Sequence, residues 1–258
     1  AGPTDGKVTV PAGGSATLEV SICLTEAGKT YIDQNFENGS YVEGFVFLTP
    51  MEGVTLSAPF LGFYGDWAGL EMLDEGLDGT PNMAATFLAD LDQSGNGYYV
   101  GLNRATACYH PDQLAFAPQR GGRILTAQLS LLRNAAQIEQ TVTDEHGNVI
   151  FRSGNLGSAR KTYATATSTG YQMVTYTSLQ GWNGRLPADG VYNVGDWAEA
   201  GKYYTYSLNL TPVGSDIAQS REYRVYLDDQ DPVVQDPQLY EEEGMVYLTF
   251  VVQDDYYV

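Results

Sequence analysis

QIEQTVTDEHGNVIFRSGNLG, residues 137–157, is the stretch that decides the fold class. Ile138, Gln140 and Val142 alternate into Asp144-Glu145-His146-Gly147-Asn148, and the pattern returns through Val149 and Phe151. A period of two puts successive side chains on opposite faces, which is a strand. The glycine in the five-residue turn supplies the left-handed backbone that such a connection needs, so the stretch predicts a β-hairpin.

The same period recurs on both sides. Upstream, ILTAQLSLLRNA (124–135) alternates as a strand. Downstream lie a Thr- and Tyr-rich stretch to Tyr176, a Tyr-rich strand from Tyr203 to Leu210, and Tyr223, Val225 and Leu227 in alternation. Near the start, KVTVPAGGSATLEVSICL predicts strands at Val8–Val10 and Ala16–Ile22, and YVEGFVFLT and VTLSAPFLGFYG add more, about six before residue 65. Thr25 ahead of Glu26, Ala27 and Lys29 suits a short helix anchored by Leu24, Tyr31 and Ile32. Asp66 to Gly97 lacks a period and is expected as a long covering loop packed across a junction. Short strands with turn signals every 8–12 residues or so predict an all-β protein of tandem β-sandwiches.

Charge supplies the boundaries. Residues 1–97 hold 14 acids and 2 bases, residues 98–228 hold 10 and 11, and residues 229–258 hold 8 and none. The expected domains are therefore 1–97, 98–228 and 229–258, the last being closing strands of the second sandwich or the opening of a third. A net charge of -19 over 258 residues repels a phosphate backbone, which argues against nucleic acid. No apolar run reaches about 18 residues, so no membrane insertion is expected. AGPTDGKVTV has neither the basic nor the apolar part of a signal peptide, so such a segment was removed or these residues lie inside a longer chain. Cys23 and Cys108 are expected as reduced, partly buried thiols.

Chemistry is sparse. The only histidines are His110, beside Pro111, and His146, at the hairpin tip where a general base has no supporting shell. No nucleophile elbow, Walker loop, dinucleotide fingerprint or HExxH string occurs, so no catalytic residue is assigned. Calcium is the candidate ion. Asp90, Asp92, Ser94 and Asn96 alternate as in the start of an EF-type loop with Gly95 at its turn, but Gly101 replaces the bidentate glutamate. Asp228, Asp229, Asp231, Asp254 and Asp255 form a second candidate cluster, because gathered carboxylates repel unless a cation bridges them. Nineteen tyrosines with Trp67, Trp182 and Trp197 raise sugar stacking, against the plainer reading of strand tyrosines covering sheet faces.

YVEGFVFLTPMEGVTLSAPFLGFYGDW, residues 41–67, resembles a stretch of the large subtilisin-like cell-envelope proteases of Gram-positive bacteria, the lactocepin and streptococcal complement-degrading peptidase family. There the first fibronectin-like domain after the protease carries a similar run, matched here by Tyr41, Glu43–Val46, Pro59, Phe60 and Gly62–Trp67. LLRNAAQIEQTVTDEHGNVIFRSG, GWNG (181–184) and ADGVY (188–192) are similar to the next such domain, although YNVGDWAEAG (192–201) interrupts the pattern. APQRGG (117–122) replaces a turn that in the family carries asparagine and aspartate, and YLDDQDPVV resembles a junction to a further domain.

The resemblance implies fibronectin type III-like, immunoglobulin-like sandwiches, secreted or wall-attached, accessory to a subtilisin-like serine endopeptidase. The catalytic domain of the same chain and the parent's protein substrates are the implied partners. The family's serine stands in a GTSMA-like string that is absent here, so this piece is expected to be no enzyme itself. Phe63, Tyr64, Asp66 and Trp67 are the expected inter-domain contact, with completion of the first sandwich's core as the plainer alternative. The rival reading is a free-standing module that binds carbohydrate or a host protein.

Overall fold

In the computed structural model the chain divides into two compact units, Ala1–Trp67 and Ala68–Val258. The structure describes residues 6–74, 85–103, 106, 108–119 and 122–254.

The first unit holds α1 (Glu26–Asn35), β1 (Ser40–Leu48) and β2 (Leu56–Tyr64). Thr25 caps α1 as its sequence predicts, its side chain accepting the Gly28 N–H at 3.1 Å. Ile32 is the buried residue of the helix; Tyr31, expected as a second anchor, is exposed. β1 and β2 pair antiparallel from Ser40↔Tyr64 to Leu48↔Leu56. Gly44 lies opposite Phe60, whose ring fills the space where a Cβ would sit 2.7 Å from ring carbons. At the hairpin's open end Gly39 and Gly65 take φ of 98° and 139° and approach so closely that a Cβ on either would strike the other's Cα.

The strands expected at Val8–Val10 and Ala16–Ile22 are not formed, and Val8, Val10, Val20 and Ile22 are exposed. Alternation fixes which face a side chain would take, but a strand exists only where a neighbouring strand accepts its ladder. β1 and β2 make a two-stranded sheet alone, with Tyr41, Phe45, Phe47 and Leu61 exposed on one face.

The second unit begins with β3 (Phe87–Leu91), β4 (Gly97–Tyr99), β5 (Leu102–Asn103), β6 (Cys108–Tyr109), β7 (Ala115–Phe116) and β8 (Ile124–Leu129). It continues with β9 (Ala135–Thr143), β10 (Val149–Arg152), β11 (Tyr163–Thr167), β12 (Gly170–Val174) and β13 (Tyr176–Thr177). The last four are β14 (Lys202–Pro212), β15 (Gln219–Leu227), β16 (Val233–Glu242) and β17 (Met245–Gln253). Two sheets carry the core, one in the order β13-β8-β3-β4 and the other β10-β9-β14-β15-β7. The 137–157 hairpin is β9–β10, and both of its strands lie in the five-stranded sheet.

One buried cluster takes residues from both sheets. Leu88, Leu125, Ala127 and Leu129 come from the first, and Ile138, Val142, Tyr206, Leu208 and Leu210 from the second. Each leucine, isoleucine or valine among them contributes roughly 1.5–3 kcal/mol by leaving water. Trp182 fills the space between them, with ring centroids 6.0 Å from Phe116 and 5.2 Å from Tyr204. Gln140 is polar and fully buried, and it is satisfied by Thr126, whose hydroxyl donates onward to the Ser178 carbonyl at 2.9 Å.

Two expectations change here. Phe87–Leu91, within the stretch expected as a loop, is β3, which pairs with β4 on one side and β8 on the other. All five residues are buried, so a central strand covered on both faces shows no alternation to read. The ladder β3–β8 joins residues on either side of 97/98, and the chain divides into its two compact units between Trp67 and Ala68. Surface charge and sheet pairing are independent, because a ladder is made of backbone groups. Cys23 and Cys108 are exposed free thiols. Among the described residues β16 and β17 pair only with each other, and every residue of both is exposed.

Candidate functional site

The first calcium candidate is a turn with its oxygens already engaged. Asp92-Gln93-Ser94-Gly95-Asn96 joins β3 to β4, and one Asp92 carboxylate oxygen accepts the Ser94 and Asn96 N–H groups at 2.8 and 3.0 Å. Asp144 does the same for His146 and Asn148 in the β9–β10 turn, at 2.9 and 2.8 Å. Gly95 and Gly147 hold φ of 80° and 79° in the two loops. D-x-x-G-N is thus one five-residue turn used twice, and the oxygen spacing that suggests an ion loop arises from an aspartate closing its own turn.

Asp90 points elsewhere. It is 4% exposed and pairs with the Arg123 Nε, while Nη2 of the same guanidinium donates to the Asp90 carbonyl at 2.7 Å. The Arg123 guanidinium also lies 5.3 Å from the centre of the Tyr98 ring. Burial pushes the Asp90 carboxyl above its usual range, against the pull of Arg123. Asp92 is held below that range by the Asn96 and Ser94 amides, and Asp144 chiefly by the Asn148 side chain.

These directions carry opposite signs. Asp92 and Asp144 favour the fold above the unfolded carboxyl value of about 3.9, and that contribution is lost as pH falls through their folded values. The contribution of Asp90 is present below the unfolded value and lost as pH rises through its folded one. Carboxyl 13C titration is therefore expected to give Asp90 the higher midpoint of two acids only two residues apart. Equal or inverted midpoints would show that Asp90 is not buried beside Arg123.

The second candidate cluster converges in part. Asp228 and Asp254 line a cavity of about 280 Å³ together with Asp90, Tyr98 and Arg123. Asp228 is buried and accepts the Gln230 N–H at 2.9 Å, and Asp229 accepts from the Gln230 side chain at 3.3 Å. Asp231 does not line this cavity, and Asp255 lies outside the described residues. Arg123 is the cationic side chain that lines this cavity. Among the described residues no three His, Cys, Asp or Glu side chains form a group that could hold a metal ion.

Arg123 escaped the sequence reading. The signal available was a base immediately before a predicted strand in a chain with 13 bases against 32 acids. Arginine on an aromatic face recurs, with Arg185 3.9 Å from the Trp197 ring centre and Arg224 3.7 Å from that of Tyr203. These pairs are formed between separate strands or across loops, which no local spacing announces.

The expected contact residues of the first unit pack among themselves. Phe63 meets Trp67 edge-to-face at 5.1 Å and Tyr41 at 5.4 Å, while the Tyr64 hydroxyl donates to Asp33 on α1 at 3.4 Å. His146 is exposed at its hairpin tip, and no helix among the described residues is long and apolar enough to cross a membrane.

An all-β chain of two units, with side chains committed to turns, ion pairs and core, is what these observations define. No family model matches it. Over 96% of its length the chain is similar to a region of the cell-envelope proteinases of Gram-positive bacteria. The PII-type and PI-type proteinases of Lactococcus lactis subsp. cremoris are each 28% identical to it over 264 residues. The PII-type proteinase of Lacticaseibacillus paracasei is 27% identical over the same span. The chain covers about 13% of the length of these relatives.

Proposed function

We propose that the chain is a non-catalytic accessory region of a secreted subtilisin-like serine endopeptidase, extracellular or wall-attached, which stabilises the catalytic domain and helps position protein substrates. The observation that carries this reading is similarity along 96% of the chain to only 13% of proteinase chains. The four-stranded and five-stranded sheets of the second unit, closed over one core, are read as a fibronectin type III-like sandwich. The bare β1–β2 and β16–β17 hairpins are read as parts of neighbouring sandwiches, because an isolated two-stranded sheet is marginal in water. Phe63 and Trp67, packed on or next to Tyr41, are assigned with Tyr64 and Asp66 to contact with an adjacent domain. Of the acids considered for calcium, Asp92 and Asp228 accept turn amides and Asp90 pairs with Arg123.

The test uses the parent protein, recovered from the surface or medium of the source cells with antibodies against this chain. An active-serine fluorophosphonate probe is expected to label a chain far larger than this one, with peptides that precede Ala1. An unlabelled parent of this chain's own size would overturn the reading and favour the binding-module alternative. Against that alternative, Trp182 is wholly buried and unavailable to stack a sugar.

A further inference from the structure

The loop from Gly181 to Gly201 buries Trp182 and Ala198, ties Asn183, Asn193 and Arg185 into its own hydrogen bonds, and leaves Val191, Val194 and Trp197 exposed. The Asn183 N–H and side-chain amide donate to Asn193 at 3.1 and 2.9 Å, and the Asn193 amide donates to the Gly181 carbonyl at 2.9 Å. Arg185 donates to the Gly195 carbonyl at 3.0 Å while its guanidinium covers one face of Trp197. Backbone bonds from Leu186 to Asp196, Gly195 to Leu186 and Ala198 to Gly184 close the loop on itself. Nevertheless Val191 and Val194 are 55% and 56% exposed, and Trp197 is 37% exposed.

We propose that this loop is a docking site for an extended peptide segment that carries a bulky apolar side chain beside a lysine or arginine. A loop already fixed by its own hydrogen bonds loses little freedom on binding, and an exposed tryptophan held by packing is the usual anchor of such contacts. The charge selects the partner. Asp189, Asp196 and Glu199 are exposed on the loop, and its one cation, Arg185, is already committed to Trp197 and Gly195. A cationic peptide is therefore drawn in and an acidic one repelled. Arg185 covers one face of the indole, and the two valines and the carboxylates beside it match an apolar side chain next to a cation, which is the chemistry of a peptide. The site includes the stretch that interrupts the family-like sequence, and it stands whether or not the parent is a protease.

The experiment follows the Trp197 indole N–H by NMR in the 258-residue chain. The probes are a nonapeptide with a Leu-Phe centre flanked by lysines, its Ser-Ser-centred and Glu-flanked versions, and cellohexaose. The lysine-flanked Leu-Phe peptide is expected to shift the Trp197 signal saturably. Its affinity, measured by isothermal titration calorimetry so that the variant without the indole is read in the same way, is expected to fall more than about tenfold in Trp197→Ala and about threefold or more in Val194→Ser and in Asp196→Asn. The buried Trp182 indole signal, unchanged in each variant, controls for folding. Equal binding of the Glu-flanked peptide, unaltered affinity in Val194→Ser, a response to cellohexaose alone, or no response to any probe would each overturn the proposal.

Discussion

Replacing Trp182 by alanine is expected to remove about 3–5 kcal/mol from the stability of the second unit, on the scale of large-to-small core changes. The indole is wholly buried against Phe116 and Tyr204, and its N–H donates to the Arg185 carbonyl at 2.9 Å. Trp182 also shares paired backbone bonds of 2.7 and 2.9 Å with Leu125 on β8, so the ring hangs from the sheet it packs against. Little can collapse into the space, because two sheets hold its walls. A domain's whole stability is typically about 5–15 kcal/mol, so the variant should sit near its unfolding midpoint under mild denaturant. Urea unfolding followed by near-ultraviolet circular dichroism measures this. A loss below about 1 kcal/mol would mean that the ring is not a core residue.

Arg123→Met should cost a comparable amount, about 3–5 kcal/mol near neutral pH, because it strands a buried carboxylate. Asp90 is 4% exposed, and among the described residues its carboxyl is paired with Arg123. The cost should depend on pH with a definite sign. Without the guanidinium, burial alone acts on Asp90 and raises its folded value further, so the lost stability returns as pH falls and the carboxyl takes up a proton. Asp90→Asn placed on Arg123→Met should likewise recover part of the loss, since an amide carries no charge to desolvate. Urea midpoints at two pH values for both variants decide the matter. A penalty that does not change with pH, or no recovery in the double variant, would assign Arg123 a packing role only.

The two residues also show how much of the site was legible in the sequence. Asp90 stood out because Asp90, Asp92 and Asn96 alternate, yet alternation of oxygens cannot distinguish an ion cage from an aspartate capping its own turn. The same motif at Asp144–Asn148 was read as a hairpin because apolar alternation flanked it on both sides. At Asp92 the preceding strand is buried on both faces and shows no such alternation. Arg123 lies 33 residues from Asp90, a separation closed only when β3 pairs with β8.

What the sequence determined by itself is local. Period-two alternation with glycine turns specified the β9–β10 hairpin, β1, β14 and β15, and Thr25 set the start of α1, since these depend on neighbours within a few residues. The tertiary structure alone decided which strands share a sheet, that Phe87–Leu91 is central, and that the units divide at 67/68. It likewise decided that the alternation at residues 8–22 forms no strand among the described residues. Backbone ladders and buried ion pairs join residues far apart in the chain, and a pattern of side chains carries no record of which distant partner completes it.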